Sequence, residues 1–272
     1  LDGATLDRAT RLDEALGQVP AVGLFRRTSS LTANPTTQGL SLRAIAPPGA
    51  GRALVSLDGV PLNDPFGGWV IWAQVPPEGL SSVDVVRAGG TGPYGAGALT
   101  GSVLLRERDT GGAWTAAIGE RGSARLAASG TGDLGPVRWV ATAAQEQTDG
   151  HVPVRALQAG AADRRLDLEA NSASLRLDLP VGNALVSGRI SAFEEMRGSG
   201  VEGSDAEASG TALSLTATRQ PNTGQPGWRV QLWRRTSDLQ NRFVATEADR
   251  SSTRPANHQF HTPATAWGLN AA

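Results

Sequence analysis

The second half of the chain alternates. In Ser172–Leu179 the apolar residues Ala173, Leu175, Leu177 and Leu179 take every second position, and Ser172, Ser174, Arg176 and Asp178 take the others. Val186, Gly188, Ile190 and Ala192 interleave with Ser187, Arg189 and Ser191 in the same way, and Trp228, Val230 and Leu232 with Arg229, Gln231 and Trp233. A period of two sends successive side chains to opposite faces, so each segment reads as a strand with one apolar and one polar side. Comparable stretches at 113–119, 123–131, 137–147, 211–219 and 264–271 raise the expectation to about eight strands.

Such strands suit a soluble sandwich or a transmembrane barrel. Their expected length is close to the ~9–11 residues that cross a bilayer at a tilt. Asp133–Pro136, Pro180–Asn183 and Gln220–Gly227 are short joins, whereas 149–169, 197–209 and 238–263 are longer and polar. Short turns on one side and long loops on the other favour the barrel. Trp114, Trp139 and Trp228 all fall just inside strands on the short-turn side, where an interfacial aromatic girdle belongs. No apolar run is long enough for a transmembrane helix. Residue 1 is Leu and no charged-then-apolar leader follows, so a signal peptide is expected to have been removed or left out.

Residues 1–108 have a different grammar. Leu12–Val19 has a short helical period that Pro20 should end, and Arg52–Asp58, Leu80–Arg87 and Ser102–Arg106 read as strands. Gly90-x-Gly92-x-x-Gly95 resembles a dinucleotide loop, but the five residues Ala96–Thr100 leave no room for the helix whose N-terminus would hold a phosphate. A strand, a glycine loop and a returning strand fit better. The net charge of −1 offers no field for nucleic acid, and zero cysteines exclude disulfides and thiolate metal sites. His151, His258 and His261 read as loop residues, Glu194–Glu195 as a strand end, and no constellation supports catalysis. No enzyme, cofactor or metal site is therefore expected.

Four motifs stand in order: Leu12-Asp-Glu-Ala-Leu16 with Val19-Pro-Ala-Val22; Gln38-Gly-Leu-Ser-Leu-Arg43; Ala53-Leu-Val-Ser-Leu-Asp-Gly-Val-Pro-Leu-Asn63; and Val83-Asp-Val-Val-Arg87 with Tyr94-Gly-Ala-Gly-Ala-Leu-Thr-Gly-Ser-Val103. Together they resemble the plug domain of TonB-dependent outer-membrane receptors. Ala44 and Ala88 replace the glycines that usually follow the motif arginines, and no TonB box is recognisable before Leu12. The resemblance implies an α+β plug at 1–108 and the N-terminal part of an antiparallel transmembrane β-barrel at 109–272. A family barrel has about 22 strands, and one of eight is filled by its own side chains, so about eight strands make an incomplete barrel and a fragment is expected.

The resemblance further implies TonB-energised uptake of a scarce bulky solute across the bacterial outer membrane: a ferric siderophore first, cobalamin or an oligosaccharide after it. The partners would be the TonB–ExbB–ExbD complex and outer-membrane lipid or lipopolysaccharide. Arg43 and Arg87 would latch the plug to carboxylates of the barrel wall beyond residue 272. Asn34, Gln38, Asp64, Phe66, Trp69, Trp72 and Tyr94 are candidates for ligand contact, with packing within the plug or against the barrel wall as the alternative for two of the three apical aromatics. The competing functions are a non-transporting truncated fragment and a secreted soluble β-rich adhesin or binding module.

Overall fold

A computed structural model describes residues 1–20, 22–24, 28–42, 53–87 and 97–272. Two short helices come first, α1 (Gly3–Leu6), capped by the Asp2 side chain, and α2 (Leu12–Gly17). The small strands β1 (Val22–Leu24) and β2 (Leu40–Leu42) pair with each other. A four-stranded sheet follows, built from β3 (Ala53–Leu57), β4 (Val60–Pro61), β5 (Leu80–Val86) and β6 (Gly101–Glu107) in the order β4-β3-β6-β5. β3 and β6 run parallel, and β5 and β6 antiparallel. Leu6, Leu12, Leu16, Leu40, Leu42, Val55, Leu80, Val83, Val103 and Leu105 form one buried cluster against this sheet. Asp58 and Gly59, both at positive φ (47° and 85°), make the primed turn between β3 and β4.

A second sheet of nine strands begins with β7 (Gly112–Ile118), β8 (Ala124–Leu134) and β9 (Val137–Thr148). It continues with β10 (Leu168–Val181), β11 (Ala184–Gly198), β12 (Asp205–Arg219) and β13 (Trp228–Thr246). β14 (Thr253–Gln259) and β15 (Ala264–Ala271) complete it. Every pairing is antiparallel, from β7 through to β13. β14 lies against Asn241–Thr246 and β15 against Val230–Ser237, both on the same side of β13. They amount to one strand position broken at 260–263.

Several expectations change here. The sheet has about the eight strand positions expected, the last shared by β14 and β15, but β13 and β14 extend into 238–263, which reads as a loop in the sequence. β10–β13 are 14 to 19 residues long, well beyond the length a bilayer requires. Residues 197–209 shrink to the turn 199–204, which is shorter than the join 220–227, so of the expected long loops only 149–167 stays long. Glu194 and Glu195 lie within β11 and not at its end. Polar alternation on an outward face looks like loop when read from sequence, although the ladder continues through it.

The two faces of the sheet are set by register. Trp139, Leu177, Gly188, Leu215, Leu232 and Leu269 form one cross-strand row, and Ala141, Leu175, Ile190, Leu213, Arg234 and Trp267 the next row on that face. This side presents large apolar side chains outward, Trp114 and Trp228 among them, as a lipid-facing belt does. The Trp139 ring lies over Gly132 of the neighbouring strand, where a Cβ would come within 2.8 Å of it. The opposite face packs on the first sheet.

Candidate functional site

The inner face of the nine-stranded wall carries arginines, and the domain it cradles carries carboxylates. Glu107, at the end of β6, accepts from Arg176 of β10 at 2.9 Å and from Arg189 of β11 at 2.8 Å. Asp58, at the tip of the β3–β4 turn, pairs with Arg189, and its carbonyl accepts from Arg229 and Gln231. Arg176 also reaches Asp178 and Asp109. A second contact joins Glu78 to Arg125 of β8 through both carboxylate oxygens, at 2.5 and 2.9 Å, which is bidentate geometry. A third runs the other way: Arg11, at the N-terminus of α2, pairs with Glu146 of β9.

These groups are removed from water. Glu78, Glu107, Arg11 and Arg125 are each under a tenth exposed. Burial pushes the Glu107 carboxyl above the usual glutamate range, and the arginines Arg189 and Arg176 oppose it without cancelling it. For Glu78 burial also raises the pKa, but the hydrogen bonds from Arg125 and Thr115 outweigh it and the net shift is downward. Burial lowers the Arg11 pKa against the pull of Asp13 and Glu195. The wall and its contents are thus held by matched charges, each side supplying what the other lacks.

The expected latch of Arg43 and Arg87 to wall carboxylates beyond residue 272 is not reached by the described residues. Arg87 is exposed and forms no ion pair among the described residues, and Arg43 lies outside them. In two of the three observed contacts the wall supplies the arginines, Arg125, Arg176 and Arg189, and the inner domain the acids; in the third, Arg11 with Glu146, the inner domain supplies the arginine. A readable signal existed: Arg176 and Arg189 sit on the polar face of clearly alternating strands, and Asp58-Gly59 is a hairpin dipeptide.

The ligand candidates separate. Gln38 is fully buried and donates to the Ala33 carbonyl. Trp72 is 3% exposed, with its indole N–H on the Gln38 carbonyl, and Asp64 caps its own turn by accepting from the Phe66 and Gly67 amides. Trp69, with Ile71, packs against Phe193, Ala208 and Leu239 of the wall. Asn34 caps a 3-10 turn and donates to Asn241 of β13. The side chains of these five are engaged in packing and turns. Phe66 alone stands out, 63% exposed at the tip of the 64–69 turn. Tyr94 and the Gly90–Gly95 glycines fall outside the described residues. His258 packs at a tilt against Phe260 and His261 bonds Asp238; among the described residues no cluster of metal-ligating side chains forms.

Residues 4–102 match the family model of the TonB-dependent Receptor Plug Domain. Among solved structures, the siderophore receptor PirA from Acinetobacter baumannii matches with TM-score 0.67 at 15% identity, over 99% of this chain and 43% of its own. A single-site variant of the ferric enterobactin receptor PfeA from Pseudomonas aeruginosa, in complex with enterobactin, gives TM-score 0.72 at 14% identity, over 100% of this chain and 45% of its own. The copper transporter OprC gives 0.65 at 14%, over 86% and 36%. At these identities the likeness is one of fold, and the chain spans less than half the length of each receptor. No curated protein is similar enough to the chain to count as a match. With four motifs in order, a small α+β domain ion-paired to the inner face of an antiparallel wall, and these likenesses, residues 4–102 match the TonB-dependent receptor plug domain, and the chain as a whole has the fold of a plug with the first strands of the barrel around it.

Proposed function

We propose that the protein of which these residues form the plug and early wall takes up a scarce, bulky solute, a ferric siderophore, with energy delivered through TonB, ExbB and ExbD. The observation that carries this reading is the plug held on the inner wall by ion pairs instead of a continuous apolar seam. Ion pairs can be exchanged for water as the plug rearranges, whereas a buried apolar interface resists that exchange. Residues 1–108 act as the gate and 109–272 as the wall, dividing between β6 and β7. Two of the three structural relatives named above are siderophore or ferric-enterobactin receptors, which favours that class of cargo; the copper transporter keeps metal cargo as the second choice. Phe66 would offer an aromatic face to an incoming ligand, and the outward apolar rows would meet lipid.

A deletion strain grown on individual ferric siderophores, haem, copper and cobalamin as limiting sources tests this. Loss of growth on one iron source, restored by the wild-type gene and weakened by Phe66→Ala, is the expected result. Undiminished growth on every source would refute the transport reading.

A further inference from the structure

We propose that the plug–wall interface holds one small monovalent anion, chloride under cellular conditions, as the counter-ion of Arg235. Arg235 is 3% exposed on the inner face of β13. It donates to the Gln74 side chain at 2.6 Å and to the Pro61 carbonyl at 3.3 Å, and its guanidinium lies over the Phe193 ring. All of these partners are neutral. Its Nε–H meets no acceptor among the described residues. The other deeply buried arginines of this interface have carboxylates: Arg11 has Glu146, Arg125 has Glu78, Arg176 has Glu107, and Arg197 has Glu195. Asp64 acts on Arg235 only from beyond ion-pair distance, and one of its oxygens is committed to two backbone amides. A buried charge met only by dipoles is an unfavourable arrangement that a counter-ion relieves.

The wall provides a place for one. Thr142, Ser174, Ser191, Ala212 and Arg235 form a single cross-strand row on the inner face, running from β9 to β13. Three hydroxyls and a guanidinium thus flank one small residue, and beside this row is a cavity of about 40 Å³. The Thr142 hydroxyl has no partner among the described residues. Glu107 also borders the cavity, but Arg176 and Arg189 occupy its carboxylate. Donors and a free positive charge select an anion over a cation. A space that admits only a few water-sized particles selects a monatomic ion over an oxyanion or a metal chelate.

The test uses the full-length protein in detergent, with bromide as the probe. Crystals grown in sodium bromide should show one anomalous peak within hydrogen-bonding distance of the Arg235 guanidinium. Hydrogen exchange over residues 61–75, which contact this arginine, should quicken about tenfold when chloride at ten times its Kd is replaced by gluconate at equal ionic strength. Arg235→Gln removes the charge, and Ala212→Leu fills the cavity while keeping the arginine, so either variant that folds should lose both the peak and the halide dependence. Water in place of bromide, or equal exchange in the two salts, would overturn the proposal. Cargo plays no part in either measurement, so the outcome is independent of the uptake reading.

Discussion

Replacing Glu107 by Gln removes the acid on which two wall arginines converge while keeping the side chain's size. The carboxylate is 4% exposed and lies 2.9 and 2.8 Å from Arg176 and Arg189. Removing one partner of a buried pair typically costs about 3–5 kcal/mol, because the other charge is left in low dielectric. Two features pull this case below the middle of that range. Arg176 keeps Asp178 and Asp109, and Arg189 keeps Asp58. A neutral amide is also easier to bury than a carboxylate whose pKa burial already raises. A net loss of about 2–3 kcal/mol follows, equivalent to roughly a 30- to 150-fold rise in the open population. Native-state hydrogen exchange on the detergent-solubilised full-length protein reads this directly, through Val103 and Leu105 of β6. The control is Asp84→Asn, which breaks the exposed pair with Arg106 at 3.3 Å, where little is expected. Protection of β6 in Glu107→Gln within about threefold of wild type would amount to less than 1 kcal/mol and would refute the latch, as would an equal effect of Asp84→Asn.

Asp163, in the 149–167 loop, accepts from Arg250 of the 247–252 turn and from the Gly160 amide, and the Arg250 hydrogen bond above all lowers its pKa to about 2. A depressed acid stabilises fully above its unfolded pKa of about 3.9 and loses that contribution as pH falls through the folded value. Limited proteolysis of the loop should therefore be unchanged from pH 8 to about pH 4 and quicken toward pH 2, while Asp163→Asn should be cut quickly throughout. Gly101, which opens β6 at φ 141°, would place a Cβ 2.2 Å from the Val86 carbonyl oxygen, so Gly101→Ala should lower plug stability by more than about 1 kcal/mol in thermal unfolding.

The fold was legible because two periods and a set of turns carry it. Alternation marked β10, β11 and the start of β13, and Ala53–Leu57, Leu80–Val86 and Gly101–Glu107 were visible as strands before their pairing was known. What could not be read was where alternation goes on with polar residues on both faces, as in Ser237–Thr246 of β13, because there polar side chains such as Ser237 and Asn241 are buried against the inner domain beside Leu239. The site was harder for a different reason. Asp58 meets Arg189 across 131 positions, and Glu107 meets Arg176 across 69. Alternation puts such an arginine on the polar face of its strand, but nothing local names the acid it will meet. The apical aromatics left two readings open, ligand contact or packing. Trp69 and Trp72 have the composition of a binding loop, yet the wall and the Gln38 carbonyl claim them first, because a loop pressed against a wall buries its largest side chains.

The polarity of the latch has a physical consequence. A displaced plug would leave a lining in which arginines outnumber acids: Arg125, Arg176, Arg189, Arg197 and Arg235 project from the inner face, against Glu146, Asp178 and Glu195. An opened path of this kind would favour an anionic solute and discourage a cationic one, since a lined cleft concentrates ions of the opposite sign. If the inner domain gates the barrel as proposed, the groups that hold it in place are also the ones a passing solute would meet. Charge reversal at Arg176 and Arg189 should therefore affect plug retention and cargo preference together, whereas Glu107→Gln should affect retention alone. A cargo profile unmoved by the double reversal, in a variant that still folds and still opens, would separate the two roles.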